Sequence, residues 1–326
     1  MATPGRLRLL AFALVAAASG WLGAGLNRAL SGHVGGAAGQ LLWLLLPLLA
    51  AVALVLTAPA GAPRRRWGLR PMRRGAQWAG AFLLYGATLL IYPVVALALM
   101  ALALAWGTQG DAPSLATLAQ RGASAAVLGF LPLVIKNLVE ELTWRGYLAP
   151  RLQPAVPLRA WPVWRGHLCV GAVWAAWHLP YYVCFLTPAT LAAYTPLALG
   201  QFLVVAFAGI VALACVYGEL RMLTGSIWPS VLLHTLCNAL GNPLAQALVQ
   251  VAPKVSPWLS PGPESLASIA LNLLLAVALY RLRVGAFHDA KSQGILPVHR
   301  IALPTRNRQH DELRHSNALH PERRTD

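Results

Sequence analysis

Side chains able to move protons are rare in this chain, and the notable ones fall within three apolar segments. The first segment carries Glu140 and Glu141, the second carries His178, and the third carries His234 with Asn238 one helical turn later. A carboxylate in a low-dielectric cavity suits a general base. A His and an Asn at i,i+4 lie on one helix face and can hydrogen-bond one developing oxyanion. These residue types therefore indicate water activation combined with stabilisation of negative charge.

Two basic side chains lie one helical turn from the glutamates. Lys136 is i,i+4 to Glu140, and Arg145 is i,i+4 to Glu141, so each can form an ion pair on its own helix face. Adjacent residues point about 100° apart around a helix, so we expect one glutamate to be paired and structural while the other faces a cavity. A close Lys136 ammonium would favour ionised Glu140 and weaken it as a base.

The composition requires a membrane setting for these residues. Of 326 residues, 57% are hydrophobic and 11% are charged, with a mean hydropathy of +0.58, whereas soluble domains carry about 25% charged residues. Soluble and disordered classes are excluded, and four cysteines are too few for a secreted disulfide scaffold. The net charge of +16 sits in short loops between apolar runs, so we expect the lipid bilayer, and no nucleic acid, as a partner.

The predicted fold class is all-α, a polytopic membrane protein with about eight transmembrane helices. We predict an integral membrane domain over residues 1–284 and a disordered basic cytoplasmic tail over 285–326. The first span resembles a signal peptide, but its apolar run continues through Leu26, which favours a retained helix. The apolar stretches that reach the roughly 20 residues a bilayer requires are about 8–30, 39–60, 77–106, 123–148, 167–187, 197–220, 226–248 and 265–284.

Arginine-rich loops follow every second span, and the positive-inside rule then places both termini in the cytoplasm. Measured from that side at 1.5 Å per residue, Glu140 lies about 12 Å deep, His178 about 16 Å and His234 about 12 Å. Three helices of alternating direction thus bring polar side chains to one depth, which predicts a shared site. We expect its cavity to open to the cytoplasm. The Ala-, Gly- and Arg-rich composition indicates a bacterial plasma (inner) membrane.

The polar residues also match a known set of motifs. Residues 140–146 read Glu-Glu-Leu-Thr-Trp-Arg-Gly, which matches EExxxR; Trp174 to His178 resembles FxxxH with Trp for Phe, and His234 to Asn238 matches HxxxN. Over about residues 120–245 the chain resembles the CPBP family, the CaaX-protease and bacteriocin-processing intramembrane proteases, also called the Abi family. An aromatic packing role for Trp174 survives the replacement, which could reshape the cavity.

The resemblance implies an intramembrane CaaX-protease-like helical bundle with endopeptidase activity. Its substrate would be a membrane-anchored peptide or protein, of prenylated CaaX type or bacteriocin-like. By the same resemblance, Glu140 activates the attacking water with His178 beside it, and His234 and Asn238 stabilise the oxyanion.

A metal ion is one open alternative, since members of that family are commonly called metalloproteases. Glu140, His178 and His234 could hold Zn²⁺ with an open water position. A metal-free mechanism, in which Glu140 polarises water directly, fits the same residues. The resemblance also implies that Glu141 and Arg145 support the site.

Two further classes of function remain open from the sequence. The intramembrane Lys, Glu and His residues could form the relay of a proton-coupled transporter, although no repeat relates the two halves of the chain. The chain could also be a non-catalytic immunity or scaffold protein. Glu219 and Arg221 are interpreted as solvated residues at a membrane edge, and the oligomeric state is not indicated.

Overall fold

The computed structural model describes residues 4–58, 67–70, 78–107, 113–153 and 160–292, and every regular element in this part of the chain is helical. The all-α prediction is confirmed. The elements are α1 Pro4–Ser31, α2 Ala37–Leu56, α3 Trp78–Gly107, α4 Leu115–Glu141, π1 Leu142–Leu148, α5 Ala149–Leu152, α6 Ala160–Pro180, π2 Tyr181–Phe185, α7 Pro188–Ala192, α8 Leu199–Thr224, α9 Trp228–Leu236, π3 Cys237–Gly241, α10 Asn242–Val251, α11 Ser256–Leu259 and α12 Leu266–Ser292.

Seven helices in the described part of the chain are long and apolar enough to cross a membrane, so this is a membrane protein. The predicted span over about 226–248 differs from the rest because it is not one regular helix. It consists of α9, π3 and α10, which follow one another without a gap from Trp228 to Val251. The break falls in the segment that carries His234 and Asn238.

The helices alternate in direction, so the arginine-bearing termini meet at one end of the bundle. We call this the basic end and define it by Arg8, Arg151, Arg221 and Arg283. Arg8, near the start of α1, donates from Nη1 to the carbonyl oxygen of Thr57 after α2, at 3.2 Å. The positive-inside rule predicts that this end faces the cytoplasm.

A buried ion cluster joins α6, α8 and α12 near the basic end. Glu219 is 0% exposed, and its carboxylate lies 2.9 Å from His167 Nε2 and 2.7 Å from Arg283 Nε. The expectation that Glu219 is solvated was wrong, because α12 supplies a cation that permits its burial. A Cβ on Gly218 would lie 2.1 Å from His167 Nδ1, so glycine is needed there for the histidine to fit.

Close packing at the other end of the bundle fixes α2 against α1 and α6. A Cβ on Gly23 would lie 2.3 Å from the Gly39 carbonyl oxygen, the kind of small-residue contact by which membrane helices approach closely. Trp43 of α2 stacks on Trp177 of α6 with centroids 4.2 Å apart. Each indole N–H donates to the other residue's carbonyl oxygen, at 2.9 and 3.1 Å. These reciprocal bonds hold Trp43 beside the predicted site.

The C-terminal region begins as a continuation of α12. Met1–Arg283 form one compact unit, and α12 runs on to Ser292, so the first residues of the predicted tail are helical. The remainder of the predicted tail, 293–326, lies outside the described residues.

Candidate active site

Each of the three motif-bearing helices has a π-helical segment at its motif. π1 begins directly after Glu141, π2 begins three residues after His178, and π3 contains Asn238. A π segment shifts the side chains that follow it relative to a regular α-helix, and such segments are frequent at functional sites. All three π segments found in the described residues lie at these motifs, so the irregular backbone marks the site independently of residue type.

Both carboxylate oxygens of Glu140 are occupied. Oε1 lies 2.5 Å from the Lys136 ammonium, and Oε2 accepts a hydrogen bond of 3.0 Å from Trp174 Nε1. Glu140 is 2% exposed, whereas the Lys136 side chain is 33% exposed. The indole N–H of Trp174 therefore orients Glu140, a contact that the phenylalanine usual at this position of the motif cannot make. The sequence suggested only packing for Trp174.

Glu141 is ion-paired as well, so the expectation that only one of the two glutamates is paired was wrong. Its Oε1 accepts from Arg145 Nη1 at 3.0 Å and from His234 Nδ1 at 3.1 Å. The Arg145 guanidinium also lies over the Trp174 ring, 4.3 Å from its centroid. Both Glu141 and Arg145 are 0% exposed. This cluster links α4 and π1 to α9 and fixes the orientation of the His234 ring.

Each site histidine uses one ring nitrogen for structure. His178 Nδ1 lies 2.9 Å from the Trp174 carbonyl oxygen. Because a carbonyl only accepts, Nδ1 must carry the proton. His234 Nδ1 likewise donates to the Glu141 carboxylate. Nε2 is therefore the nitrogen that each ring has available for chemistry.

A buried amide connects α4 to π3. Asn137 Oδ1 accepts from Asn238 Nδ2 at 3.0 Å, and Asn137 Nδ2 donates to Thr235 Oγ1 at 3.3 Å. Asn137 is 0% exposed. No motif includes Asn137, although an amide one turn before Glu140 was the available signal. The network leaves Asn238 one further amide N–H.

One cavity of about 310 Å³ brings the predicted residues together. His178, His234 and Asn238 line it, as do Lys136 and Trp174. Glu140 lies behind Lys136 and Trp174, and both contact it directly. Of the predicted water-activating and oxyanion-binding residues, three thus face the cavity, and the fourth lies immediately beneath its wall.

The cavity extends away from the basic end. Towards the basic end, π1 fills the space with Trp144, Tyr147 and Leu148, each at most 2% exposed. In the other direction the walls include Tyr194, which precedes α8, and Glu264, which precedes α12. The expectation that the cavity opens at the basic end was therefore wrong, because bulky π1 side chains occupy that side. The sequence also missed Glu264, which lies outside every motif.

A second cavity of about 370 Å³ lies between α3, α8 and α12 and is mainly apolar. Its walls include Ile91 of α3 and Leu275 of α12. It shares Leu213 and Cys237 with the first cavity. An apolar space therefore adjoins the polar one inside the bundle.

The described side chains do not form a Zn²⁺ site. A catalytic zinc needs three protein ligands, and no three His, Cys, Asp or Glu side chains in the described ranges converge closely enough. Glu140 is bound to Lys136 and Trp174. Of the three predicted ligands, only His178 and His234 keep a nitrogen available, Nε2, and two ligands fall short of the three that a catalytic zinc needs. No catalytic step is derived through a metal.

The part of the chain that forms this site is similar to a known protein family. Residues 122–240 match the model of the type II CAAX prenyl endopeptidase Rce1-like family. This region resembles an Rce1-like domain. No curated protein sequence matches the chain.

The Rce1-like region runs from within α4 to within π3. It contains every motif residue and agrees with the CPBP resemblance over about 120–245. Three parts of the cavity wall come from outside it, represented by Trp43 on α2, Asn242 on α10 and Glu264 before α12. Flanking helices therefore complete the cavity around the Rce1-like region.

Proposed function

We propose that this protein is an intramembrane endopeptidase that hydrolyses a peptide bond of a membrane-associated substrate without a metal. The observation that carries this is the single cavity lined by His178, His234 and Asn238, with Glu140 held at its wall by two donors. Three motifs far apart in sequence thus meet around a space large enough for a peptide segment.

The proposed reaction begins at Glu140. Its carboxylate takes a proton from a water molecule as the water oxygen bonds to the scissile carbonyl carbon, and His178 Nε2 orients that water. The carbonyl oxygen becomes an oxyanion that accepts from the Asn238 amide N–H. It also accepts from His234, whose ring must carry a proton on Nε2 as well as on Nδ1 in order to donate. The C–N bond then breaks, and the proton passes from Glu140 to the leaving amine. Acid–base catalysis of this kind contributes about 10²- to 10⁴-fold.

Neighbouring residues keep these groups in position. Lys136 and Trp174 hold Glu140 ionised and oriented, and the ammonium must yield one lone pair of Oε1 to the water. Glu141 and Arg145 hold the His234 ring, since Glu141 accepts from both. Side chains locked in this way act with little reorganisation during the reaction.

The substrate would be a membrane-anchored peptide or protein, and the apolar cavity beside the site suits its lipid or apolar part. Prenylated CaaX-type and bacteriocin-like chains are the candidates by family. The segment would reach Glu140 from the end opposite the basic end, because π1 fills the near side. In a bacterial plasma membrane with both termini in the cytoplasm, that end is extracytoplasmic.

The test is cleavage of a panel of membrane-anchored peptides by purified protein in detergent, with and without chelator. Glu140→Gln should abolish cleavage, by about 10³-fold or more. Asn238→Ala should lower kcat by about 10²-fold, the usual cost of losing one oxyanion donor. Gln250→Ala, which removes an exposed amide from α10, is the matched control and should retain cleavage. Thermal unfolding confirms that each variant is folded.

Retained cleavage in Glu140→Gln would overturn the mechanism. Loss of cleavage with chelator, restored by Zn²⁺, would instead favour the metalloprotease alternative. The wild-type protein could instead cleave nothing and mediate a substrate flux that depends on Glu140. That result would favour the transporter hypothesis over the peptidase. Unchanged biological function after substitution of all the motif residues would indicate a scaffold or immunity protein.

A further inference from the structure

Glu264 is fixed in the cavity wall by a tight loop between α11 and α12. Ser265 Oγ donates to the Ser260 carbonyl oxygen at 2.6 Å, and Ser268 Oγ donates to the same oxygen at 2.9 Å. The loop packs directly on Gly209 of α8. A Cβ on that glycine would lie 2.2 Å from the carbonyl oxygen of Pro263, the residue before Glu264. The position of the carboxyl group is therefore set by the fold.

The Glu264 carboxyl has no cation beside it in the described part of the chain. Among the described side chains, Tyr182 donates to it, from Oη to Glu264 Oε1 at a long 3.4 Å. Burial raises the pKa of Glu264 to about 7. The contrast with the other buried glutamates is clear, because Glu140, Glu141 and Glu219 each contact a lysine or arginine. A carboxylate placed in a cavity without its own cation can receive one from a ligand.

Aromatic rings surround the same part of the cavity. Tyr181, Tyr182 and Tyr194 line it together with Phe202. Tyr182 packs edge-on against Phe202 with centroids 5.1 Å apart, and against Tyr181 at 5.5 Å. Aromatic faces attract ammonium and guanidinium groups. A carboxylate among aromatic rings is thus chemically matched to an organic cation.

We propose that Glu264 and the tyrosines around it form a binding subsite for a cationic group of the substrate segment, a lysine ammonium or an arginine guanidinium. The proposal rests on the proposed function, because Glu264 and His178 line the same cavity. One chain can then occupy both places, with its scissile bond at His178 and its cation at Glu264. Glu264 would select substrates by charge and would leave the chemical step to the residues already described.

Binding tests the subsite apart from catalysis. The probes are peptides with blocked ends that carry one lysine at successive positions, each paired with a norleucine peptide that has the same alkyl chain and no charge. Titration calorimetry in detergent uses Glu140→Gln protein so that nothing is cleaved. At one or more positions the lysine peptide should bind about 10-fold more tightly, which corresponds to about 1.4 kcal/mol. Adding Glu264→Gln should bring that ratio to one, and Glu264→Asp should retain part of it.

Asp289→Asn is the matched control, because it also removes one carboxylate but at a position 25 residues further along the chain. It should leave the ratio unchanged. In cleavage assays, Glu264→Gln should raise KM for lysine peptides about 10-fold with kcat little changed. Equal binding of lysine and norleucine peptides at every position would overturn the subsite, as would a ratio that persists in Glu264→Gln. Failure of wild-type cleavage with lysine selectivity intact would overturn only the proposed function.

Discussion

The hydrogen bond from Trp174 to Glu140 leads to a sharp prediction for Trp174→Phe. Phenylalanine keeps an aromatic ring in the same packing position but cannot donate to Oε2. A hydrogen bond to a charged group is worth about 1.5–3 kcal/mol. If that energy orients Glu140 for reaction, its loss lowers kcat by roughly 10- to 150-fold. KM should change by less than about threefold, because the lost bond is made to Glu140 and not to the substrate.

Trp144→Phe provides the matched control. Trp144 is buried to a similar degree, 1% exposed against 2% for Trp174, and its indole N–H has no hydrogen-bond partner among the described residues. The substitution removes the same atoms from a packed site without removing a hydrogen bond. Trp144→Phe should therefore lose roughly 1–2 kcal/mol of stability, and Trp174→Phe should lose that amount plus the hydrogen bond. Only Trp174→Phe should lose kcat.

The assay measures kcat and KM on one cleaved peptide, with thermal unfolding of each variant in the same detergent. The reasoning fails if Trp174→Phe retains wild-type kcat. It fails equally if Trp144→Phe slows the reaction as much, since the effect would then follow from altered packing. A rise in KM without a fall in kcat would show that Trp174 contacts the substrate instead of orienting Glu140.

Three other predictions concern charge and close packing. Lys136→Met removes the ammonium, which both orients Glu140 and lowers its basicity; we expect the loss of orientation to dominate and kcat to fall about 100-fold. Lys136→Arg should restore much of the rate, and wild-type kcat in both variants would contradict the pairing. Gly218→Ala should cost about 2–4 kcal/mol in thermal unfolding by displacing the histidine it contacts, whereas Gly200→Ala, which meets nothing within 4 Å, should be neutral. Since the pKa of Glu264 is raised to about 7, wild-type stability relative to Glu264→Gln should fall as pH rises from about 4.5 to 7; a flat difference would show that this carboxyl is not buried in the folded state.

The sequence was sufficient to predict the membrane-spanning helices and the site residues that lie close together. Long apolar runs predicted the spans because a bilayer allows few alternatives. Loop charges and helix directions placed Glu140, His178 and His234 at one depth, and the structure brings His178 and His234 to one cavity with Glu140 beneath its wall. These features depend on length, composition and chain direction, which can be read locally.

Other features depend on contacts between distant helices and could not be read in this way. Burial of Glu219 requires Arg283 from α12, and the place of Glu264 in the cavity requires a loop beyond the motifs. The side on which the cavity lies is decided by π1, whose shifted backbone turns Trp144 and Tyr147 inward. Helical periodicity does not predict a π segment. The bond from Trp174 to Glu140 likewise became visible only when α4 and α6 were placed together.

The ion cluster at Glu219 also sets an order for assembly in the membrane. Glu219 is synthesised 64 residues before Arg283, so α8 is made well before the cation that α12 supplies. A carboxylate buried without a cation costs several kcal/mol. Until α12 inserts, the end of α8 must therefore keep Glu219 near water or rely on His167 alone. Because Glu264 also lies just before α12, insertion of α12 both pairs Glu219 and completes the wall of the cavity.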